Sequence, residues 1–156
     1  ERARLYIGLA QVEIYHQNFE MAQHYLTQSD DLIKTKDLTW WRPIADYFLG
    51  CVYKSQNKSQ NAKDSFLNGL SMSDKGCPDF KPLIMLELAL FEQHELNRDE
   101  LLRQSIVVAW ERSRYSEKLY CLEQAGNLLM QSQLQTSREL GQISQKEAAE
   151  LKALAE

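Results

Sequence analysis

The sequence predicts an all-α protein of about eight helices, paired into four antiparallel hairpins. Apolar residues recur at spacings of three and four along most of the chain, which is the period of an amphipathic helix. Only six glycines and three prolines occur in 156 residues, whereas all-β chains need many glycine- and proline-rich turns. Small residues also recur near the middle of the first helix of each predicted hairpin, at intervals of 40, 39 and 37 residues: Ala10, Gly50, Ala89 and Gly126.

The first hairpin is predicted over about residues 2–33. The polar pair Gln17-Asn18 interrupts the apolar pattern and separates two helices. The second of these helices begins near Phe19 and extends to Ile33. The stripe of the first helix consists of Tyr6, Leu9, Ala10 and Ile14, with Val12 at its edge.

The second hairpin is predicted over about residues 40–72. Thr39 is a candidate N-cap, and Pro43 would then lie in the first helical turn, where proline is tolerated. Gly50 is small where the two helices are expected to cross, and Phe66 is expected to fill the space beside them. Residues 73–78 contain Gly76 and Pro78, which predict a break in the helical pattern.

The third and fourth hairpins are predicted over about residues 79–113 and 116–155. Two candidate capping boxes, Asn97 with Glu100 and Thr136 with Glu139, mark the expected starts of their second helices. Gly141 leaves open a break in the last helix, with Ser144 as a second N-cap.

Two motifs in the second hairpin carry a family resemblance. L-G-x-x-Y at residues 49–53 and A-x-x-x-F at residues 62–66 resemble the tetratricopeptide repeat, whose usual period is about 34 residues. The longer intervals are similar to the longer-period variants of bacterial regulators and adaptor proteins. The resemblance is specific in the second hairpin, fair in the first and weak in the others. It implies a right-handed α-α superhelix over residues 1–156; an unrelated α-solenoid or an eight-helix bundle fits the same helical pattern.

Composition narrows the function classes. The formal charge is −4 with both signs interspersed, whereas a nucleic-acid interface needs clustered Lys and Arg. No apolar stretch approaches the length of a membrane span. Three widely separated cysteines favour a reducing compartment over a disulfide framework, so a cytoplasmic location is expected. The chain begins without Met, and we expect it to be a piece of a longer protein.

The sequence contains no pattern typical of an enzyme or a cofactor site. His16 and His24 are about two helical turns apart, and the His94-Glu95 pair lacks the second histidine of a zinc helix. No nucleotide-binding loop or nucleophile elbow occurs. We therefore predict a protein that is not an enzyme and that needs no cofactor or metal.

The family resemblance supplies the predicted binding surface. In tetratricopeptide arrays the first helix of each hairpin lines a concave groove, and helical spacing is consistent with an inward position for nine residues. These predicted partner-binding residues are Ile7, Gln11, Tyr15, Tyr47, Lys54, Leu86, Leu90, Glu123 and Asn127.

The tryptophans give a second set of expectations. Trp40 and Trp41 point about 100° apart at a helix start, so one is expected to pack near Leu32 and Ile33 and the other to stay partly exposed as a surface contact. Trp110 lies in an apolar run and is expected in the core.

The predicted function is a protein-protein interaction scaffold that binds a peptide or partner helix in the groove. The alternative is an effector-sensing or oligomerisation domain of a multidomain signalling or transcriptional regulator. A third interpretation is a segment of a longer solenoid, whose exposed ends would favour self-association.

Overall fold

A computed structural model describes residues 1–112 and 114–155. These residues contain eight α-helices, two short 3-10 helices and no strand, which confirms the predicted all-α class and helix number. None of the described helices is long and apolar enough to cross a membrane. The α-helices are α1 (Arg2–Tyr15), α2 (Phe19–Thr35), α3 (Arg42–Ser55), α4 (Ser59–Met72), α5 (Lys81–Ala89), α6 (Glu95–Arg112), α7 (Tyr115–Met130) and α8 (Gln135–Ala153); the 3-10 helices are Thr39–Trp41 and Pro78–Phe80.

The chain folds as two compact units, Glu1–Pro78 and Asp79–Glu156. In the first unit, α1 packs on α2 and α3 packs on α4, and α3 also contacts α1 and α2. In the second unit, α5 packs on α6 and α7 packs on α8, and α7 also contacts α5 and α6. Each unit therefore consists of two helical hairpins joined through helices of both.

The two hairpins of the first unit share one loop geometry. Gln17 and Asn57 both have left-handed backbone conformations, with φ of 60° and 59°. The next residue in each loop donates its amide to the carbonyl five residues earlier, Asn18 to Glu13 at 2.8 Å and Lys58 to Tyr53 at 2.9 Å, as at many helix C-termini. The two loops are 40 residues apart, the same interval as between Ala10 and Gly50. The first unit is therefore a structural repeat in the register predicted from the sequence.

A glycine-aromatic contact holds the second hairpin together. Phe66 of α4 is fully buried, and its ring lies directly against Gly50 of α3. A Cβ added at Gly50 would lie 2.5 Å from Cε1 of Phe66, well inside van der Waals contact. The predicted role of Gly50 as a small residue at the helix crossing is confirmed, and the aromatic ring occupies the space that this glycine leaves.

The last hairpin crosses at two glycines instead of at a glycine and an aromatic ring. A Cβ added at Gly141 of α8 would lie 2.7 Å from the carbonyl oxygen of Gly126 and 2.8 Å from the amide nitrogen of Met130, both in α7. The two helix backbones are thus close at this point. Helix α8 continues through Gly141 without a break, so the glycine serves packing rather than ending the helix.

The predicted helix caps are wrong in the described structure. Thr39 opens the 3-10 helix instead of capping α3, and Asn97 lies inside α6. Helix α8 begins at Gln135, before the Thr136 of the predicted capping box. Ser144 is likewise inside α8, where its hydroxyl donates to the carbonyl of Leu140 at 2.9 Å. Capping patterns count only local spacing, whereas these helix starts are set by tertiary contacts.

A buried polar network shows what sets the start of α6. Ser132, in the loop between α7 and α8, donates its hydroxyl to Asp99 of α6 at 2.5 Å. The amide of Gln133 donates to the carboxylate of Glu95 at 2.6 Å. Asp99 is buried, so these bonds satisfy an acid that would otherwise be costly to remove from water. The first turn of α6 is therefore fixed by the opposite hairpin loop.

A second network joins the hairpins of the first unit. Arg42 of α3 forms an ion pair with Asp30 of α2 and lies 3.6 Å from Asp46, one turn along α3. Asn68 of α4 donates to Asp46 at 2.6 Å, and Lys34 pairs with Asp30 at 2.6 Å. Desolvation raises the pKa of Asp46 to about 6, against the opposing effects of these neighbours. Asp46 is thus a buried carboxyl whose charge is unfavourable at neutral pH.

We predict that Gly141→Ala destabilises the chain. The added methyl meets backbone atoms of α7, which cannot move aside as a side chain can. Overpacking of this kind costs about 1–3 kcal/mol, which exceeds the gain of up to ~1 kcal/mol that alanine brings to a helix interior. Gly8→Ala in α1 is the matched control, because no atom lies within 4 Å of the added Cβ, and it should stabilise. Chemical denaturation at low protein concentration measures both, and a stabilised Gly141→Ala variant would contradict the close helix approach.

We also predict that Asp46 makes stability depend on pH. Its pKa is about 6 in the folded chain and is raised from the usual 3.8, so the folded state binds the proton first and stability falls as pH rises through 6. From pH 5 to pH 7 this group should cost about 1 kcal/mol of unfolding free energy. The Asp46→Asn variant should lose that contribution while keeping a partner for Asn68. Denaturant titrations at both pH values test this, and equal pH slopes for the two proteins would refute it.

Candidate partner-binding surfaces

The predicted binding residues of the first unit divide into exposed and buried side chains. Gln11 and Tyr15 of α1 and Lys54 of α3 are exposed, and Tyr15 is 84% exposed. Tyr47 is half-buried, with its ring 6.2 Å from that of Phe66. Ile7 is buried. Since α1 and α3 are in contact, these residues come from two adjacent helices, and Ile7 supports this surface from beneath.

The predicted residues of the second unit divide in the same way. Leu86 belongs to the buried core cluster, whereas Leu90 and Asn127 are exposed. Glu123 is half-buried and forms an ion pair with Lys152 of α8, which raises the pKa of Lys152. Leu86 therefore stabilises the unit, and the carboxylate of Glu123 already has a partner.

The adjacent tryptophans differ in exposure, as expected. Trp40 is exposed and Trp41 is half-buried, in a 3-10 helix that contacts both α2 and α3. The segment after α4 packs beneath them: the amide of Cys77 donates to the carbonyl of Trp40 at 3.0 Å. A Cβ added at Gly76 would lie 2.8 Å from the carbonyl oxygen of Thr39. The Trp40 indole is thus presented on a fixed backbone.

Trp110 is not in the core, and the prediction that placed it there is wrong. Its side chain is 40% exposed at the end of α6. The indole nitrogen donates to Glu147 of α8 at 2.9 Å, and the Lys118 ammonium lies 4.6 Å from the ring centre. These polar partners explain why an aromatic residue in an apolar run lies at the surface.

Sequence reasoning missed an apolar groove on the outer face of α1. Leu5 and Val12 are 60% and 52% exposed, and no atom lies within 4 Å of a Cβ added at Gly8. These residues line a shallow groove of about 460 Å³ together with Glu1, Arg4 and Leu9. The signal was present as a spacing of four, three and four between Leu5, Leu9, Val12 and His16, but the core stripe on the opposite face obscured it.

A second shallow groove, of about 490 Å³, lies between α5 and α6. Its apolar floor includes Met85 and Val107, and Lys81, Arg103 and Glu100 border it. The Arg103 guanidinium donates to the hydroxyls of Thr136 and Ser137, at 3.1 Å each. The arginine is therefore already bonded to α8.

The described residues contain no cluster of His, Cys, Asp or Glu that could hold a metal ion. The three cysteines are free; Cys77 and Cys121 are buried and Cys51 is half-buried. Burial and the nearby Glu117 raise the pKa of the Cys121 thiol to about 12. Cys121 is thus an inert core residue at neutral pH.

Comparisons with protein-family models, with curated proteins and with solved structures give no match.

We predict that the cysteines react in a fixed order. A pKa raised from 9.0 to about 12 lowers the thiolate fraction of Cys121 at pH 8 by about a thousandfold. A disulfide dye at pH 8 should therefore modify Cys51 first and reach Cys121 only after unfolding. Cys51→Ser is the control, because it should remove the early reaction. Early labelling of Cys121, identified by peptide mass, would contradict its burial.

Proposed function

We propose that this chain is a protein-interaction module that binds a peptide or helix of a partner on the adjacent faces of α1 and α3. The observation that carries the proposal is Tyr15, a large aromatic side chain left 84% exposed on a rigid helix. Tyrosine is among the residues that most often dominate binding energy at protein interfaces. Gln11 and Lys54 supply polar groups beside it, as at the rim of such interfaces.

The packing beneath this surface supports the proposal. Tyr47 rests against Phe48 and Phe66 with ring centres 5.3 and 6.2 Å away, and Ile7 is buried under α1. A side chain held by its neighbours loses little conformational freedom on binding, so more of the contact energy appears as affinity. The family resemblance to tetratricopeptide repeats points to the same pair of helices.

A peptide selection tests the proposal. Peptides selected from a random library on the full chain should lose at least tenfold in affinity for Tyr15→Ala, since a hot-spot truncation costs more than 1.4 kcal/mol. Fluorescence anisotropy with labelled peptides gives the dissociation constants.

The control matches the exposure of the mutated residue. Leu154, at the end of α8, is 83% exposed, and Leu154→Ala should leave the affinity unchanged. Selected peptides that bind Tyr15→Ala as tightly as the natural chain would move the binding surface elsewhere. Equal losses for both variants would indicate nonspecific apolar adhesion.

A further inference from the structure

The outer face of α1 is an exposed apolar surface without a covering element in the described residues. The helix turns its buried side chains, Ala3, Ile7 and Ala10, toward the first unit. At 3.6 residues per turn, Leu5 and Val12 lie on the opposite side. Gly8 lies between them, and no neighbouring atom is within 4 Å of its would-be Cβ. Another helix can therefore approach the α1 backbone closely at this glycine.

We propose that this face binds the same face of a second copy of the chain, with the two α1 helices antiparallel. Leu5 and Val12 are equally distant from the Gly8-Leu9 pair at the centre of the stripe. A two-fold axis at this centre places Leu5 of each copy against Val12 of the other. Gly8 then meets Gly8 and Leu9 meets Leu9, so the surface is self-complementary, as a two-fold interface requires.

The charges on the edge of the stripe select this arrangement. Arg2 and Glu13 lie on the same edge as Leu9, one at each end of α1. Neither forms an ion pair within the described residues. The antiparallel pair brings Arg2 of each copy beside Glu13 of the other, which gives two ion pairs. A parallel pair would instead place like charges together.

One helix pair buries less surface than a standard protein interface, so the dimer is expected to be weak, with a micromolar or higher dissociation constant. It does not depend on the peptide-binding surface proposed above, because Val12, Arg2 and Glu13 are not among the residues proposed to contact the peptide.

The test is sedimentation equilibrium of the full chain over a wide concentration range. We expect a monomer of 18.2 kDa in equilibrium with a species of twice that mass. Val12→Glu should abolish the dimer, because it would bury two charges at the centre of the interface. Leu67→Glu is the matched control: Leu67 is similarly exposed on α4, and its replacement should leave the dimer intact.

Charge reversal tests the orientation without touching the apolar stripe. Arg2→Glu and Glu13→Arg should each weaken the dimer by about tenfold, since each turns two attractive pairs repulsive. The double variant Arg2→Glu/Glu13→Arg should restore it, and raised salt should reduce all these differences. Circular dichroism confirms that every variant is folded.

Several results would overturn the proposal. A chain that stays monomeric at all concentrations would leave the groove to a helix from a longer chain or from a partner protein. Open-ended polymers would indicate head-to-tail association. A dimer that survives Val12→Glu, or that the double charge reversal does not restore, would place the interface or its orientation elsewhere.

Discussion

The close approach of paired helices at glycine is the constraint on which the hairpins depend. At Gly50 the absent side chain makes room for the buried ring of Phe66. At Gly126 and Gly141 it lets two backbones nearly touch. Either solution removes water from the helix crossing and fills it to the density of a protein interior. Because protein interiors resist small changes in volume, these few atoms determine how far apart the helices lie.

Helix number and pairing could be predicted from the sequence, because both follow from apolar periodicity and from polar or glycine-containing interruptions. The interval between Ala10 and Gly50 also identified the repeat later seen in the two matching loops. Helix starts could not be predicted in the same way. Asn97 and Thr136 fit a capping pattern, yet contacts such as that between Ser132 and Asp99 decide where the chain becomes helical, and local spacing contains no information about them.

The candidate surfaces were only partly accessible to sequence reasoning. Helical spacing identified Gln11 and Tyr15 as surface residues of α1, but it could not separate them from Ile7, which lies on the same side and is buried by the neighbouring helix. The outer face of α1 was missed for the opposite reason. Both sides of this helix carry apolar residues, and periodicity alone cannot say which side meets the protein core and which meets solvent.

The matching loops of the first unit have a consequence for how such a chain can change length. Gln17 and Asn57 reverse the chain with the same left-handed backbone, although their side chains and neighbours differ. A segment of 40 residues cut at these two positions therefore begins and ends in the same conformation. An extra copy inserted there in frame would join without altering either junction, adding one α2–α3 pair. The unit thus carries its own template for growth by duplication of a whole segment.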